Sequence, residues 1–293
     1  MVVVEEIRRE LHDADVCRHV ASWSVDATRW CWRRNPEVGK MKLTVLGSTA
    51  GTPSRTNPAS GYLVEHGETS IWMDAGTGTF MELARHVDPG TLDAVLLSHT
   101  HVDHCSDLFG LYGYLAYGPS GDVPIKVFAP EGGPDHLASF ARATAEHTFN
   151  SVLDFDEVFP GDAISVGDVN VRFGDAIHPV PALVTRLDAG GATLVYSGDT
   201  GPGSDLAEMA EGADVLLCEA SIAGIRDERS YPFHLTAGEA GEVAERAGVG
   251  QLILTHIGAL MDPQVSVGEA SAVFSGDVGY AEQGLTLEIE GDG

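Results

Sequence analysis

The stretch Ser98-His99-Thr100-His101-Val102-Asp103-His104, directly after the run Leu92-Asp93-Ala94-Val95-Leu96-Leu97, constrains this chain more than any other. The run is short, β-rich and without helical period, so it predicts a buried strand. His99 and His101 stand two residues apart, and at an extended strand end their rings project to one side. Asp103 and His104 follow where Leu108, Leu111, Tyr112 and Leu115 open a helical pattern. Adjacent residues at such a strand-to-helix turn point in different directions, so one loop can offer ligands to two neighbouring metals. Imidazole with carboxylate suits zinc, manganese or iron(II) rather than calcium or magnesium. The alternative, surface histidines gathered by chance, has to put three histidines and an aspartate within six positions behind a strand. Two metals need about seven protein ligands, so the rest of the chain must supply three more.

Composition narrows the setting. No run reaches the ~18 apolar residues of a membrane span, and the N-terminus has no continuous apolar region with a cleavage site, so neither membrane nor secretion is expected. Cys17, Cys31, Cys105 and Cys218 show no framework spacing and no CxxC pair, which reads as reduced thiols in a cytoplasmic protein. The formal net charge is −27, with lysine only at Lys40, Lys42 and Lys126. Such a surface repels polyanions and argues against a large nucleic-acid footprint. A small phosphorylated substrate held by metal remains compatible with it.

Residues 1–40 differ from the remainder. They carry seven basic and seven acidic residues, so the whole net charge lies in 41–293, and they hold Trp23, Trp30 and Trp32 of the four tryptophans. Glu5–Val20 reads as one helix with an interrupted apolar face. The segment is expected to be an extension, disordered or the product of an early start codon, with Met41 opening the domain proper; the alternative is a docking arm.

From Met41 the pattern alternates strand and helix. Strands are expected at Leu43–Leu46, Gly61–Glu65, Ser70–Met73, Ile125–Phe128, Thr193–Tyr196, Val215–Cys218, Leu252–Leu254 and Leu285–Ile289. Helices are expected near Phe80–His86, Pro134–Glu146, Asp205–Ala210, Thr236–Ala247 and Val265–Phe274. Val158–Phe159, Ala163–Val166, Val169–Ala176 and Ala182–Leu187 read as an antiparallel series with turns at Gly167-Asp168 and Gly190-Gly191. Mixed hairpins and βαβ units of this kind suit an α/β fold with two sheets face to face and helices outside.

The remaining candidate ligands sit at strand ends, where loops of an α/β fold converge. His178 follows Val171–Ala176, Asp199 follows Leu194–Gly198, and His256 follows Leu252–Thr255. Each alone is more often a surface residue than a ligand. Their joint appearance downstream of the cluster changes the reading.

The ordered set His99-x-His101-x-Asp103-His104, His178, Asp199, His256 resembles the signature of the metallo-β-lactamase superfamily, with Asp74 matching its first motif. The resemblance implies a four-layer αβ/βα sandwich and two divalent metals, usually zinc, with manganese as an alternative. It places His99, His101 and His178 on one metal, Asp103, His104 and His256 on the other, and Asp199 between them. Gly47–Pro53, Leu217-Cys218-Glu219-Ala220-Ser221 and His234-Leu235-Thr236-Ala237 are similar to the ribonuclease Z-like phosphodiesterase branch. There the matching residues imply His234 as proton donor or phosphate ligand, oriented by Glu219; the competing reading is that His234 caps the helix at Thr236. Ribonuclease Z carries its tRNA-gripping arm between the positions matching His178 and Asp199, where this chain has only 20 residues. The remaining resemblance is to compact actinobacterial phosphodiesterases that hydrolyse cyclic nucleotides. The expectation is hydrolysis of a small phosphodiester, a 3′,5′-cyclic nucleotide to its 5′-monophosphate. Alternatives are a nuclease acting on RNA 3′ ends, a lactone, thioester or sulfate-ester hydrolase on the same scaffold, and a non-enzymatic metal-dependent binding module. By analogy with the branch, a homodimer is the expected assembly if the chain is not monomeric.

Overall fold

The computed structural model describes residues 40–118, 123–141, 146–227 and 231–291. Residues 1–39, with the expected Glu5–Val20 helix, lie outside the described residues.

The strands are β1 (Met41–Gly47), β2 (Thr49–Ala50), β3 (Gly61–His66), β4 (Thr69–Met73), β5 (Ala94–Leu96), β6 (Ile125–Ala129), β7 (Leu153–Glu157), β8 (Ala163–Val166), β9 (Val169–Asp175), β10 (Leu183–Ala189), β11 (Ala192–Tyr196), β12 (Val215–Glu219), β13 (Gln251–Thr255), β14 (Ile257–Gly258), β15 (Asp277–Tyr280) and β16 (Thr286–Ile289). The helices are α1 (Thr79–His86), α2 (Val102–Cys105), α3 (Leu108–Tyr117), α4 (Gly133–Ala141), α5 (Glu146–Val152), α6 (Leu206–Met209), α7 (Ala237–Ala247) and α8 (Pro263–Ser271).

Two seven-stranded mixed sheets form, ordered β16-β1-β3-β4-β5-β6-β7 and β15-β13-β12-β11-β10-β9-β8, and β2 pairs β14 at their junction. The central strands β4, β5, β11 and β12 are buried at every position, as strands covered on both faces must be. Leu43, Tyr62, Met73 and Leu96 of the first sheet meet Phe173, Leu187, Leu194 and Leu217 of the second between the layers. Trp72, Val95 and Val127 turn the opposite way, against Leu83 of α1, Leu111 of α3 and Leu137 of α4. Val195, Leu216 and Leu252 meet Leu206 of α6, Ala240 of α7 and Ala270 of α8. The expected four-layer α/β sandwich is therefore the fold.

Two expectations need correction, and one strand lies where none was expected. The strand expected at Val158–Phe159 lies upstream, as β7 at Leu153–Glu157, parallel to β6 in the first sheet. Its sequence Leu-Asp-Phe-Asp-Glu puts acids on an edge strand, where charge protects the open edge but hides the apolar alternation. The helix expected over Pro134–Glu146 ends its described part at Ala141. A strand at Asp277–Tyr280, one glycine among polar and weakly apolar neighbours, was not foreseen and extends β13 in parallel.

Candidate metal centre

β5 ends at Leu96, Leu97 still donates its N–H to Phe128, and the chain then turns through Ser98–His101 into α2. Two tight approaches fix that turn. Gly76 lies so close that a Cβ there would fall 2.0 Å from the Asp103 carbonyl oxygen. Gly198, at φ 56°, lets the strand end bearing Asp199 pass against Ser98 and the Leu183 carbonyl, a left-handed conformation that glycine adopts without strain. Among the described residues, only Asp74 (φ 53°) and His256 (φ 48°) are non-glycines at positive φ. Both lie in this site, where such strain concentrates.

All seven expected ligands converge. His99 Nε2 and His178 Nε2 each lie 3.0 Å from His101 Nδ1. His256 Nε2 lies 3.2 Å from both His104 Nε2 and Asp103 Oδ2. Asp199 stands between the groups, with Oδ1 3.3 Å from His104 Nε2 and Oδ2 3.7 Å from His99 Nε2. Donor atoms of His99, His101 and His178 fall within 4.8 Å of one another, as do those of Asp103, His104 and His256, and those of His99, His104 and Asp199.

The donor chemistry fits a pair of divalent cations. Four imidazoles have Nδ1 engaged by a polar neighbour and turn Nε2 toward the other donor atoms. His99 contacts Ser98 Oγ (3.1 Å), His104 contacts Asp74 Oδ2 (2.7 Å), His178 the Phe233 carbonyl (3.3 Å), and His256 Ser221 Oγ (2.8 Å). The tautomer with the proton on Nδ1 aims the Nε2 atoms at one another, an arrangement that a cation resolves. Asp199 Oδ1 is buried with no hydrogen-bond partner, a costly state for a carboxylate oxygen. Burial, with the neighbouring imidazoles, holds His99 well below the ordinary histidine range, and mainly burial brings His178 down to about 4. Both are neutral and ligand-ready near pH 7. Burial opposes charge on His104, but Asp199 and Asp74 override it and raise its pKa well above normal. Burial likewise opposes charge on Asp199 and Asp103, yet the adjacent imidazoles hold both carboxylates below their usual range.

Asp74 organises one histidine of each cluster without facing either. Its Oδ1 accepts the Ser98 N–H (2.7 Å), and its Oδ2 accepts from Ser98 Oγ (2.7 Å), His104 Nδ1 and Tyr196 OH (2.8 Å). One carboxylate thereby sets the orientation of His104 directly and of His99 through Ser98. Asp74→Asn keeps the shape and weakens the acceptor. Metal affinity, measured by competition with a chromophoric chelator, should fall about 10–100-fold, the usual cost of losing such a partner; unchanged affinity would remove Asp74 from this role.

Glu219 and His234 form the expected pair, with His234 Nδ1 3.0 Å from Glu219 Oε1. His234 does not cap α7; Thr236 does, in a capping box with Glu239. The His234 ring stacks on His256 (centroids 5.6 Å, 24° between planes) and stands edge-on to His178. A His234 ring nitrogen lies within 4.8 Å of donor atoms of His178 and Asp199, while its Nε2 makes no hydrogen bond among the described residues. Burial pulls the His234 pKa down, but the hydrogen bond and charge of Glu219 outweigh it and hold the imidazolium above the ordinary range.

Two contributors carried no assigned role in the sequence reading. Ser221 Oγ joins His256 Nδ1 (2.8 Å) to Glu219 Oε2 (2.8 Å), linking the second cluster to the Glu219–His234 pair. Arg226 grips Glu239 through Nε (2.5 Å) and Nη2 (2.9 Å), and donates to the carbonyls of Tyr231 (3.1 Å) and His234. Its signal in the sequence was an arginine with little basic company in an acidic chain.

A two-sheet αββα sandwich with imidazoles and carboxylates gathered at its strand ends defines the class of metal-dependent hydrolases. The chain belongs to the β-lactamase superfamily, since residues 69–257 match the family model described as "Beta-lactamase superfamily domain". It is 36% identical over 261 residues to an uncharacterized protein of Mycobacterium leprae, covering 86% of this chain and 90% of that one. It is 30% identical to the probable metallo-hydrolase YhfI of Bacillus subtilis, across 85% of this chain and 100% of YhfI. The crystal structure of YhfI superposes with a TM-score of 0.76, at 29% identity, over 85% of this chain and 99% of that one. Ribonuclease Z of Methanopyrus kandleri is 28% identical, covering 85% of this chain and 98% of its own. No helix among the described residues is long and apolar enough to cross a membrane.

Proposed function

We propose that this chain is a dinuclear metal-dependent phosphodiesterase that hydrolyses a 3′,5′-cyclic nucleotide to the 5′-monophosphate. His99, His101 and His178 would hold one cation, Asp103, His104 and His256 the other, with Asp199 shared; zinc suits this donor set, and manganese is the alternative. Two divalent cations held there supply positive charge for the phosphate oxygens and ionise water near neutral pH.

The observation that carries the reading is His234, anchored at Nδ1 by buried Glu219 and free at Nε2 beside both clusters. A group so placed donates a proton from Nε2 to the departing oxygen, while Glu219 stabilises the charged ring before transfer. Ester hydrolysis with a good leaving group needs no such donor, and a phosphodiester with an alkoxide leaving group does. The relatives named ribonuclease Z support phosphodiester chemistry. Between His178 and Asp199 the chain makes only the β10–β11 hairpin and its flanking loops, with no arm for transfer RNA. The net charge of −27 also disfavours a long polyanion. A small diester therefore fits better than RNA. Cys105 and Cys218 are free and buried, in keeping with a cytoplasmic setting.

The test is turnover by the metal-loaded full chain on cyclic AMP, cyclic GMP, bis(p-nitrophenyl) phosphate, pre-tRNA, a lactone and a thioester at equal enzyme concentration. Cyclic nucleotide hydrolysis, with pre-tRNA left intact, is expected. Preferred cleavage of pre-tRNA, or of the lactone or thioester, overturns the assignment.

A further inference from the structure

Beyond the reacting centre, a run of neighbouring rings reaches out to solvent, ending at one aromatic side chain. His256 and His234 lie 5.6 Å apart at 24° between planes, and Tyr231 lies a further 5.6 Å from His234 at 34°. Phe233 supports Tyr231 edge-on at 5.3 Å. Tyr231 is 50% exposed, and its hydroxyl makes no hydrogen bond among the described residues. The ring leaves apolar surface in water beside the reacting centre, surface that a planar aromatic group could cover.

The ring is fixed rather than draped. Arg226 donates to the carbonyls of Tyr231 and His234, so both ends of the short segment 231–234 hang on one guanidinium. Glu239 anchors that guanidinium from α7. The Phe233 carbonyl accepts from His178 Nδ1 (3.3 Å), which ties the same segment to the first cluster. Immobilising a platform before binding reduces what association costs in ordering.

We infer that Tyr231 is the floor of a subsite for a planar aromatic group of the substrate, a nucleobase. This rests on the phosphodiesterase reading, because the subsite's position is defined from His234. His234, as the proposed donor, stands at the departing oxygen, and Tyr231 is the neighbouring ring that reaches solvent. Stacking on its open face is tolerant of base identity, since every base presents a π face. The subsite therefore predicts selection for an aromatic ring over none, with modest discrimination between purines.

Calorimetric titration of the metal-loaded full chain with AMP and with ribose 5-phosphate tests this directly, with no turnover needed. The wild type should bind AMP about tenfold or more tightly than ribose 5-phosphate, the range of one base stacked on an aromatic side chain. Y231A should abolish that preference, Y231F should keep it, and ribose 5-phosphate should bind all three alike. Three results overturn the subsite: no preference in the wild type, a preference that survives Y231A, or equal weakening of both ligands by Y231A. Turnover of bis(p-nitrophenyl) phosphate, followed in parallel, separates the two claims. Preference for AMP without phosphodiester turnover sinks the catalytic reading and leaves the subsite standing, and turnover without preference does the reverse.

Discussion

Asp199→Ala should lose at least one metal per chain and lower kcat by more than the 10²–10⁴-fold that a missing general acid typically costs. The reason is position. Asp199 contacts both clusters: its Oδ1 lies 3.3 Å from His104 Nε2 and from His256 Nδ1, and its Oδ2 3.7 Å from His99 Nε2. In the proposed dinuclear site, removing it would take a ligand from each cation and a negative charge from between them, where burial weakens screening. Asp199→Asn, which keeps one neutral oxygen, should fall between alanine and wild type. Metal content by plasma emission, with circular dichroism as the folding control, reads the result. Two tightly held metals and near-normal turnover in a folded Asp199→Ala protein would falsify the bridging role.

How much of this site the sequence showed depended on the range of the interactions. His99, His101, Asp103 and His104 are legible because a strand end and a turn fix their relative directions locally. His178, Asp199 and His256 are legible only as residues at strand ends. Their meeting depends on β9, β11 and β13 lying in one sheet, which no local pattern encodes. Asp74 was recognisable by its match to a family motif, but its work, one carboxylate serving Ser98, His104 and Tyr196 across 122 positions, is a product of the sandwich closing. Ser221 was in view, two residues after Glu219, yet serine has many uses and nothing local directs its hydroxyl to His256. The fold followed the same division. Strands buried on both faces announced themselves as apolar runs, whereas edge strand β7 and the outermost β15 were hidden by charge and by weak apolar content.

His234→Ala should retain both metals and lower kcat about 10²–10⁴-fold on a substrate with an alkoxide leaving group. Bis(p-nitrophenyl) phosphate should suffer much less, because nitrophenoxide departs without a proton. That contrast separates loss of an acid from general damage to the site, which would depress both substrates together. Glu219→Gln supplies the second readout. As the proposed general acid, His234 must be protonated to act, so activity should be present below its pKa and be lost as pH rises through it. Burial alone depresses that pKa, and Glu219 is what raises it. The glutamine side chain still accepts from the Thr200 N–H (2.7 Å in the wild type) and from His234, but it carries no charge, so the alkaline limb of kcat should move to lower pH. An alkaline limb that stays in place, or moves upward, assigns the proton to another group. Equal losses on the two substrates in His234→Ala would leave His234 as a phosphate ligand instead, and the pair would then serve binding rather than departure.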